Sequence, residues 1–210
     1  MVEDSNAKIH LVVKGEQKKF DTKDDVKQAF TKAMGGDESL SLANVEKITL
    51  GGNSYGYEAC EWLSDLLKGQ DTPSLTAIDF SNIFVSRLRA ELPKSLELMS
   101  VALLPKQLVE LDLSDNAFGP DGIRAFECLL INDKQLRVLK ITNCGLGPEG
   151  GEMIAEALSK NEGLKLTHFH AGRDRLEDKG ITALASVFKA MGSLEEIHVP
   201  QNGIKDEGMS

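Results

Sequence analysis

The stretch that decides the fold is Leu108-Val-Glu-Leu-Asp-Leu-Ser-Asp-Asn-Ala-Phe-Gly-Pro-Asp-Gly122. Its leucines are spaced as in a short strand that turns one face into a core. Asn116 carries an amide that both donates and accepts, so it can satisfy backbone groups inside a tight turn. Phe118 fills the space under that turn, and Pro120 suits the first turn of a helix, where its missing N–H costs nothing. The stretch therefore predicts a strand, a tight turn and a helix.

The same pattern recurs along the chain. Its copies begin at Val45, Leu75, Leu108, Leu136, Leu166 and Leu194, at intervals of 28 to 33 residues. The place of Asn116 is taken in the other regular copies by Asn53, Cys144, Asp174 and Asn202. One such unit cannot bury its own apolar face, so the copies must stack. The sequence predicts an α/β leucine-rich repeat solenoid, similar to the ribonuclease-inhibitor class, with a parallel β-sheet on the concave face and helices on the convex face.

The chain divides into a cap and an array. Residues 1–44 contain a strand and a helix without the repeat consensus, which is typical of an N-terminal cap. Residues 45–210 hold about six repeats, and the last stops where its helix would begin, so we expect a fragment of a longer array. An apolar face bared at that end would promote self-association. We expect about seven strands, counting the cap, and burial of Leu111, Leu113, Leu139, Ile141, Phe169, Ile197 and Val199.

Composition narrows the class of partner. The net charge of −9 disfavours nucleic acid and anionic membranes and fits a basic protein partner. No apolar run reaches the ~20 residues of a membrane span, and the first residues lack a secretory signal pattern. The three cysteines are interpreted as buried free thiols in a reducing compartment, which predicts a cytoplasmic location.

A column of mostly polar residues lies just before the turn of each repeat. Its members are Gly52, Asn82, Asp115, Asn143, Arg173 and Gln201. The carboxyl ends of parallel strands meet at one edge, and loops on a rigid scaffold often carry function. The column is therefore either a recognition edge or a set of solvated turns. Another cluster, His168, His170, His198 and Glu196, would share the concave face, where we expect a polar surface and no metal site.

The second repeat is irregular. Its turn position falls on Ile83, and an extended segment follows that carries Arg87 and Arg89. Arginines on a projecting, flexible loop suggest contact with phosphate or carboxylate, although ordinary solvent exposure is the alternative. We expect Arg87 to share a rim with Asn143, and Ser54 to lie outside any site. No serine-hydrolase, phosphate-loop or zinc-protease motif is present.

Several stretches together resemble the Ran GTPase-activating protein family, in its N-terminal part. They occur in the family's order and cover nearly the whole chain. They are Gly51-Gly-Asn-Ser-Tyr-Gly56, Ile83-Phe-Val-Ser-Arg87 with Glu91-Leu-Pro93, Leu113-Ser-Asp-Asn-Ala-Phe-Gly-Pro120, Asn143-Cys-Gly-Leu-Gly147, Gly172-Arg-Asp-Arg-Leu-Glu177 and Gln201-Asn-Gly-Ile204. The eight-residue stretch from Leu113 and the arginine segment are far more specific than a leucine-rich consensus.

The resemblance implies a function. The family accelerates GTP hydrolysis by the small GTPase Ran, in nucleocytoplasmic transport, by ordering Ran's own catalytic residues rather than by supplying an arginine finger. It implies catalytic roles for Asn143 and Arg87, and GTPase contacts for Arg89, Arg173 and Arg175. The column residues Asn82 and Asp115 are further candidates for GTPase binding.

Other expectations follow from the same resemblance. The chain would need no cofactor of its own, because GTP and magnesium come with the GTPase, and it would not be an enzyme in its own right. It would act in the cytoplasm, with the nuclear envelope as a further location. The family's array is roughly twice as long and ends in an acidic segment. The alternative function is a non-catalytic scaffold or inhibitor that binds another protein through the concave face.

Overall fold

The computed structural model describes residues 8–205. Strands and helices alternate along the chain, as the repeat pattern predicts. The strands are Ile9–Val12 (β1), Lys19–Phe20 (β2), Val45–Thr49 (β3), Ser54–Tyr55 (β4), Ala77–Asp79 (β5), Glu110–Asp112 (β6), Val138–Lys140 (β7), His168–His170 (β8) and Glu196–His198 (β9). The helices are Lys23–Ala33 (α1), Tyr57–Gly69 (α2), Leu92–Leu103 (α3), Gly119–Asn132 (α4), Gly147–Lys160 (α5) and Glu177–Met191 (α6).

A single parallel sheet runs through the repeats. Its seven strands follow the order β1, β3, β5, β6, β7, β8, β9, so each repeat adds one strand beside its predecessor. Ile48, Ile78, Leu111, Leu139, Phe169 and Ile197 share one register position across β3 to β9. Neighbouring helices pack against each other in sequence order on the other side. The predicted strand number and the predicted fold class are confirmed.

The apolar strand positions form the core, except at one end. Leu111, Leu139 and Phe169 are almost completely buried. The prediction for Ile197 is wrong, because this side chain is 45% exposed. Val199 is only half-buried. Ile197 lies on β9, the last strand of the sheet among the described residues, and Val199 directly follows it, so no further described strand or helix covers them.

Side chains at the turn position link each repeat to the one before it. The Asn116 amide nitrogen donates to the carbonyl oxygens of Phe80 and Leu113, both at 2.8 Å. Its Oδ1 accepts from the backbone N–H of Ile83 at 2.9 Å. Asn116 is 4% exposed, so all three bonds are made away from water. Burying these backbone groups without a partner would be costly, and one asparagine satisfies three of them.

The N-terminal segment contains the strand β1 and the helix α1, and an additional sheet ties it to the array. Thr22 caps α1 through a reciprocal capping box with Asp25. Phe30 of α1 packs edge-on against Trp62 of α2, with ring centroids 5.4 Å apart. The sequence did not predict that β2 of the cap pairs with β4 of the first repeat in a separate two-stranded parallel sheet. This small sheet lies beside the irregular second repeat and positions the site described below.

The three cysteines differ in burial. Cys60 and Cys144 are buried and unpaired, as predicted, whereas Cys128 is unpaired but only half-buried. Between residues 8 and 205, no helix is long and apolar enough to cross a bilayer.

The burial of Leu113 leads to a stability prediction. Leu113 is 3% exposed within the core, so Leu113→Ala is expected to lower the free energy of unfolding by about 2–5 kcal/mol through a cavity and lost burial. Leu88→Ala is the matched control, because Leu88 is 69% exposed. Urea denaturation of both variants measures the difference. A cost below about 1 kcal/mol for Leu113→Ala would mean that this side chain is not a core residue.

Candidate functional site

The polar column lies at the carboxyl ends of the strands, and its backbone has a common conformation. Asn82, Asp115, Asn143, Arg173 and Gln201 all have left-handed φ values, between 51° and 60°. Gly52, the remaining member, has a φ of 81°. Asparagine and aspartate tolerate this region better than most residues, which explains three of the members but not Arg173 or Gln201. The column is therefore a row of tight turns whose exposed side chains project from one edge.

Three members of this column form a connected group. The Asn143 amide nitrogen donates to Asp115 Oδ1 at 2.8 Å. Arg173 Nη2 approaches the same carboxylate oxygen at 3.4 Å. Asp115 Oδ1 therefore accepts from Asn143 of the next repeat and attracts Arg173 of the repeat after it. Asn143 is exposed and uses its nitrogen on Asp115, whereas its Oδ1 has no hydrogen-bond partner within residues 8–205 and can accept from a partner.

Arg87 does not lie on a projecting, flexible loop, so that expectation is wrong. Its side chain is only 15% exposed. Its Nε donates to Ser54 Oγ at 2.9 Å, and its Nη2 donates to the carbonyl oxygens of Ser54 at 3.0 Å and Phe20 at 3.4 Å. Its Nη1 forms an ion pair with Asp21 of the cap. The guanidinium is thus directed toward the cap, and Arg87 and Asn143 are not brought together.

Ser54 belongs to the same cluster, contrary to expectation. It is 2% exposed, accepts from Arg87 and donates its own proton to the Val85 carbonyl at 2.5 Å. An isolated antiparallel bridge also joins Ser54 to Phe84. The loop is therefore attached to β4, and through β4 to the cap. The repeat pattern wrongly predicts that Ser54 lies outside the site, because its contacts are with residues more than thirty positions away, which the repeat consensus does not include.

Arg89, two residues beyond Arg87, extends in the opposite direction. It is exposed, and its guanidinium lies against the backbone of Gly119, where any added side chain would overlap it. Gly119 begins α4 in the next repeat and has a φ of 62°. The two arginines therefore have different surroundings. Arg87 fixes the loop to the cap, and Arg89 is presented at the edge that also carries Asp115.

The remaining candidates are exposed. Arg175 projects from the turn before α6, with a left-handed φ of 57°. The Asn82 backbone continues the row of turns, accepting from the N–H of Gly52 at 3.1 Å and donating to the Ser114 carbonyl at 2.8 Å. Its side chain is exposed at the same edge. Both residues are available to a partner.

The histidine cluster on the concave face lies where the register predicts. His168 and His170 pair with Glu196 and His198 across β8 and β9. His170 Nε2 lies 2.9 Å from Glu196 Oε1 without the alignment of a hydrogen bond, and the His170 and His198 ring centroids are 5.6 Å apart. Among the residues that the structure describes, no three His, Cys, Asp or Glu side chains are arranged to hold a metal ion.

Asp174 is a buried carboxyl directly beside the column. It occupies the turn position and is fully buried. Its Oδ1 accepts from the N–H groups of Cys144 at 2.7 Å and Gly145 at 2.9 Å, whereas its Oδ2 has no partner. Burial raises the pKa of Asp174 to about 6, and backbone donors offset only part of that effect. Burial and the nearby Asp174 carboxyl also raise the pKa of the Cys144 thiol, so this cysteine is a packing residue rather than a nucleophile.

Several known proteins are similar to this sequence. The family model described as "Leucine Rich repeat" matches residues 107–126 and 134–155. Ran GTPase-activating protein 1 of Xenopus laevis is 40% identical over 206 residues, which cover 92% of this chain. Ran GTPase-activating protein 1 of Saccharomyces cerevisiae is 32% identical over 209 residues, or 94% of this chain. The chain belongs to the Ran GTPase-activating protein family.

The match is to part of each relative. The chain spans 34% of the Xenopus laevis protein and 50% of the Saccharomyces cerevisiae protein. A mouse protein named "NACHT, LRR and PYD domains-containing protein 3" is 36% identical, but over only 44% of this chain.

Proposed function

We propose that this chain binds the GTP form of Ran and accelerates its GTP hydrolysis by ordering the GTPase's own catalytic residues. Support comes from the names of its relatives and from the preformed Asp115–Asn143–Arg173 group. That group offers fixed polar contacts without a nucleophile or an acid–base pair. Such a surface suits an activator whose partner supplies GTP, magnesium and the reacting water. The proposal includes action in the cytoplasm or at the nuclear envelope, in nucleocytoplasmic transport.

The single observation that carries the mechanism is the direction of the Asn143 amide. Asp115 takes its nitrogen, so the unpartnered Oδ1 can accept from a side-chain amide of the GTPase. In GTPases of this class, a glutamine orients the attacking water. A fixed acceptor would hold that glutamine in its productive orientation at little entropic cost, since Asn143 is already ordered by the turn and by Asp115.

The charges around the amide support the same role. Arg173 and Asp115 partly neutralise each other, so the group around the Asn143 amide presents neither a bare anion nor a bare cation to the GTPase. Arg87 is too enclosed by its own contacts to act as a finger on the GTP phosphates. It is therefore assigned to holding the loop, whereas Arg89, Asn82 and Arg175 remain free to contact the GTPase surface.

The test is release of phosphate from GTP-loaded Ran, with and without this chain. We expect the chain to increase the single-turnover rate constant, and another small GTPase in its GTP form to show no increase. Binding to Ran measured in parallel, without any increase in rate, would instead support a non-catalytic scaffold. A chain that neither binds nor activates Ran would contradict the proposed function.

A further inference from the structure

We propose that Asp21 is a positioning residue for GTPase activation: acting through Arg87, it holds residues 84–91 in the conformation that meets the GTPase. The inference rests on the proposed function. Asp21 lies in the cap, 66 positions away from Arg87 in the chain, and belongs to no repeat motif. No candidate site derived from the repeat pattern contains it.

The Arg87 guanidinium joins its own loop to two other parts of the chain, the cap and β4. It contacts Asp21 and the Phe20 carbonyl in the cap, and both Ser54 Oγ and the Ser54 carbonyl on β4. Asp21 supplies the only carboxylate among these contacts. An arginine that is 15% exposed needs a counter-charge, because water screens and solvates it poorly. Removing the Asp21 carboxylate would leave Nη1 without an acceptor and weaken the attachment of the loop.

The attached loop carries exposed groups that suit a protein partner. Leu88 is 69% exposed and Val85 is 36% exposed, and Arg89 follows them at the edge near Gly119. Exposed apolar side chains on an ordered loop bind at lower entropic cost than those on a mobile one. The contacts of Arg87 therefore do more than stabilise the fold, because they order Leu88 and Arg89 before the GTPase binds.

Gly56 shows how closely the cluster is packed. A Cβ added at Gly56 would lie 3.1 Å from Arg87 Nη1 and 3.3 Å from Asp21 Oδ1. Its backbone, with φ of −79° and ψ of 176°, accepts alanine without strain. Gly56→Ala therefore perturbs the Asp21–Arg87 contact by insertion, without removing either side chain. It gives an independent route to the same disruption.

The variants for the test are Asp21→Ala, Arg87→Ala, the double variant, Gly56→Ala and the control Asp24→Ala. Asp24 is an exposed acid three residues further on, and it does not touch Arg87. For Asp21→Ala we expect a five- to tenfold rise in the Ran concentration that gives half-maximal activation. The rate at saturation should change less than twofold, because the loop acts on docking rather than on the chemical step. Gly56→Ala should shift in the same direction, and Asp24→Ala should match the wild type.

The double variant separates coupling from general damage. If Asp21 acts only through Arg87, Asp21→Ala should add nothing to Arg87→Ala. Additive losses, or an Asp21→Ala variant as active as Asp24→Ala, would overturn the proposal. Lower thermal stability alone would not produce this pattern. A variant that is less stable but still folded during the assay would then activate Ran as well as the wild type.

Hydrogen exchange of residues 84–91 gives a readout that needs no GTPase. Asp21→Ala should speed exchange there, and Asp24→Ala should not. Unchanged exchange in Asp21→Ala would overturn the proposal, as would faster exchange with unchanged activation. If the wild-type chain fails to activate Ran, the proposed function fails and the positioning role with it. The exchange data would then show whether the cap still holds the loop.

Discussion

Replacing Asn143 by alanine is expected to slow GTP hydrolysis on the saturated Ran complex by about 10²-fold, the scale for losing one positioned transition-state contact. The lost group is the unpartnered Oδ1, which Asp115 fixes by accepting from the amide nitrogen at 2.8 Å. Affinity for Ran should change little, because the contact forms mainly in the transition state. Single-turnover hydrolysis at saturating activator separates that step from binding.

The backbone at Asn143 requires two controls. Its φ of 59° strains alanine, so Asn143→Gly, which accepts this conformation, should lose the same activity. Gln201→Ala is the matched control, because Gln201 has a φ of 56° in the same column and is placed in no site. It should retain wild-type activity. Hydrolysis at the wild-type rate in both Asn143 variants would show that the residue only forms a turn.

Asp174→Asn is expected to stabilise the protein by about 2–3 kcal/mol at pH 7.5 and by little at pH 4. The folded pKa is raised from 3.8 to about 6, and each unit corresponds to ~1.4 kcal/mol. As the pH rises above 3.8, the unfolded chain ionises while the folded carboxyl stays protonated, so stability falls. Above about pH 6 the folded carboxyl ionises too, and the deficit becomes constant.

Neighbouring repeats show why asparagine fits this position. Asn202 accepts backbone N–H groups with Oδ1 and donates from its nitrogen to the carbonyls of Ala171 at 2.6 Å and Val199 at 3.0 Å. Asp174 keeps the accepting half of this pattern, but its unpaired Oδ2 replaces the donating half. Protonation restores a donor at low pH, and asparagine supplies one at every pH.

Chemical denaturation of both proteins at pH 4 and pH 7.5 measures the difference. The activation of Ran should not differ between the two proteins, because Asp174 is buried beneath the column rather than exposed in it. Cys144→Ser is unsuitable as a control, because that thiol contacts the Leu113 carbonyl at 3.3 Å. Asp178→Asn removes an acid from the first turn of α6 instead, and it should show no comparable pH-dependent gain. A destabilised Asp174→Asn at pH 7.5 would mean that the buried carboxylate is better satisfied than its contacts indicate.

Periodicity explains why the sheet was predictable from the sequence. Leu111, Leu139 and Phe169 share one register position because the apolar residues have the same spacing in every repeat. When the repeats stack, only one pairing of their strands keeps these residues together in the core. Ile197 follows the same pattern and yet is exposed, because burial depends on a neighbour that the pattern within one repeat cannot supply. The column of turns was predictable for the same reason, and its left-handed backbone accounts for Asp115 and Asn143.

The contacts of Arg87 were not predictable in this way. They join residues 33 to 67 positions apart, across an interruption of the repeat, so no local pattern contains them. The sequence signal that was available is the interruption itself. It marked the segment as unusual but did not indicate which part of the molecule would hold it. The separate sheet of β2 and β4 was not predictable from the sequence, because each strand is only two residues long and shows no periodic pattern.

That small sheet bears on how this array could change in evolution. Leucine-rich arrays lengthen and shorten by duplicating or deleting whole units, since each unit contacts only its neighbours. Here β2 of the cap, β4 of the first repeat and Phe84 of the second are joined directly. An extra unit inserted between them would separate Asp21 from Arg87 by a further strand spacing of ~4.8 Å. Repeat number is therefore constrained at this end, and the loop could be moved to another solenoid only together with its cap.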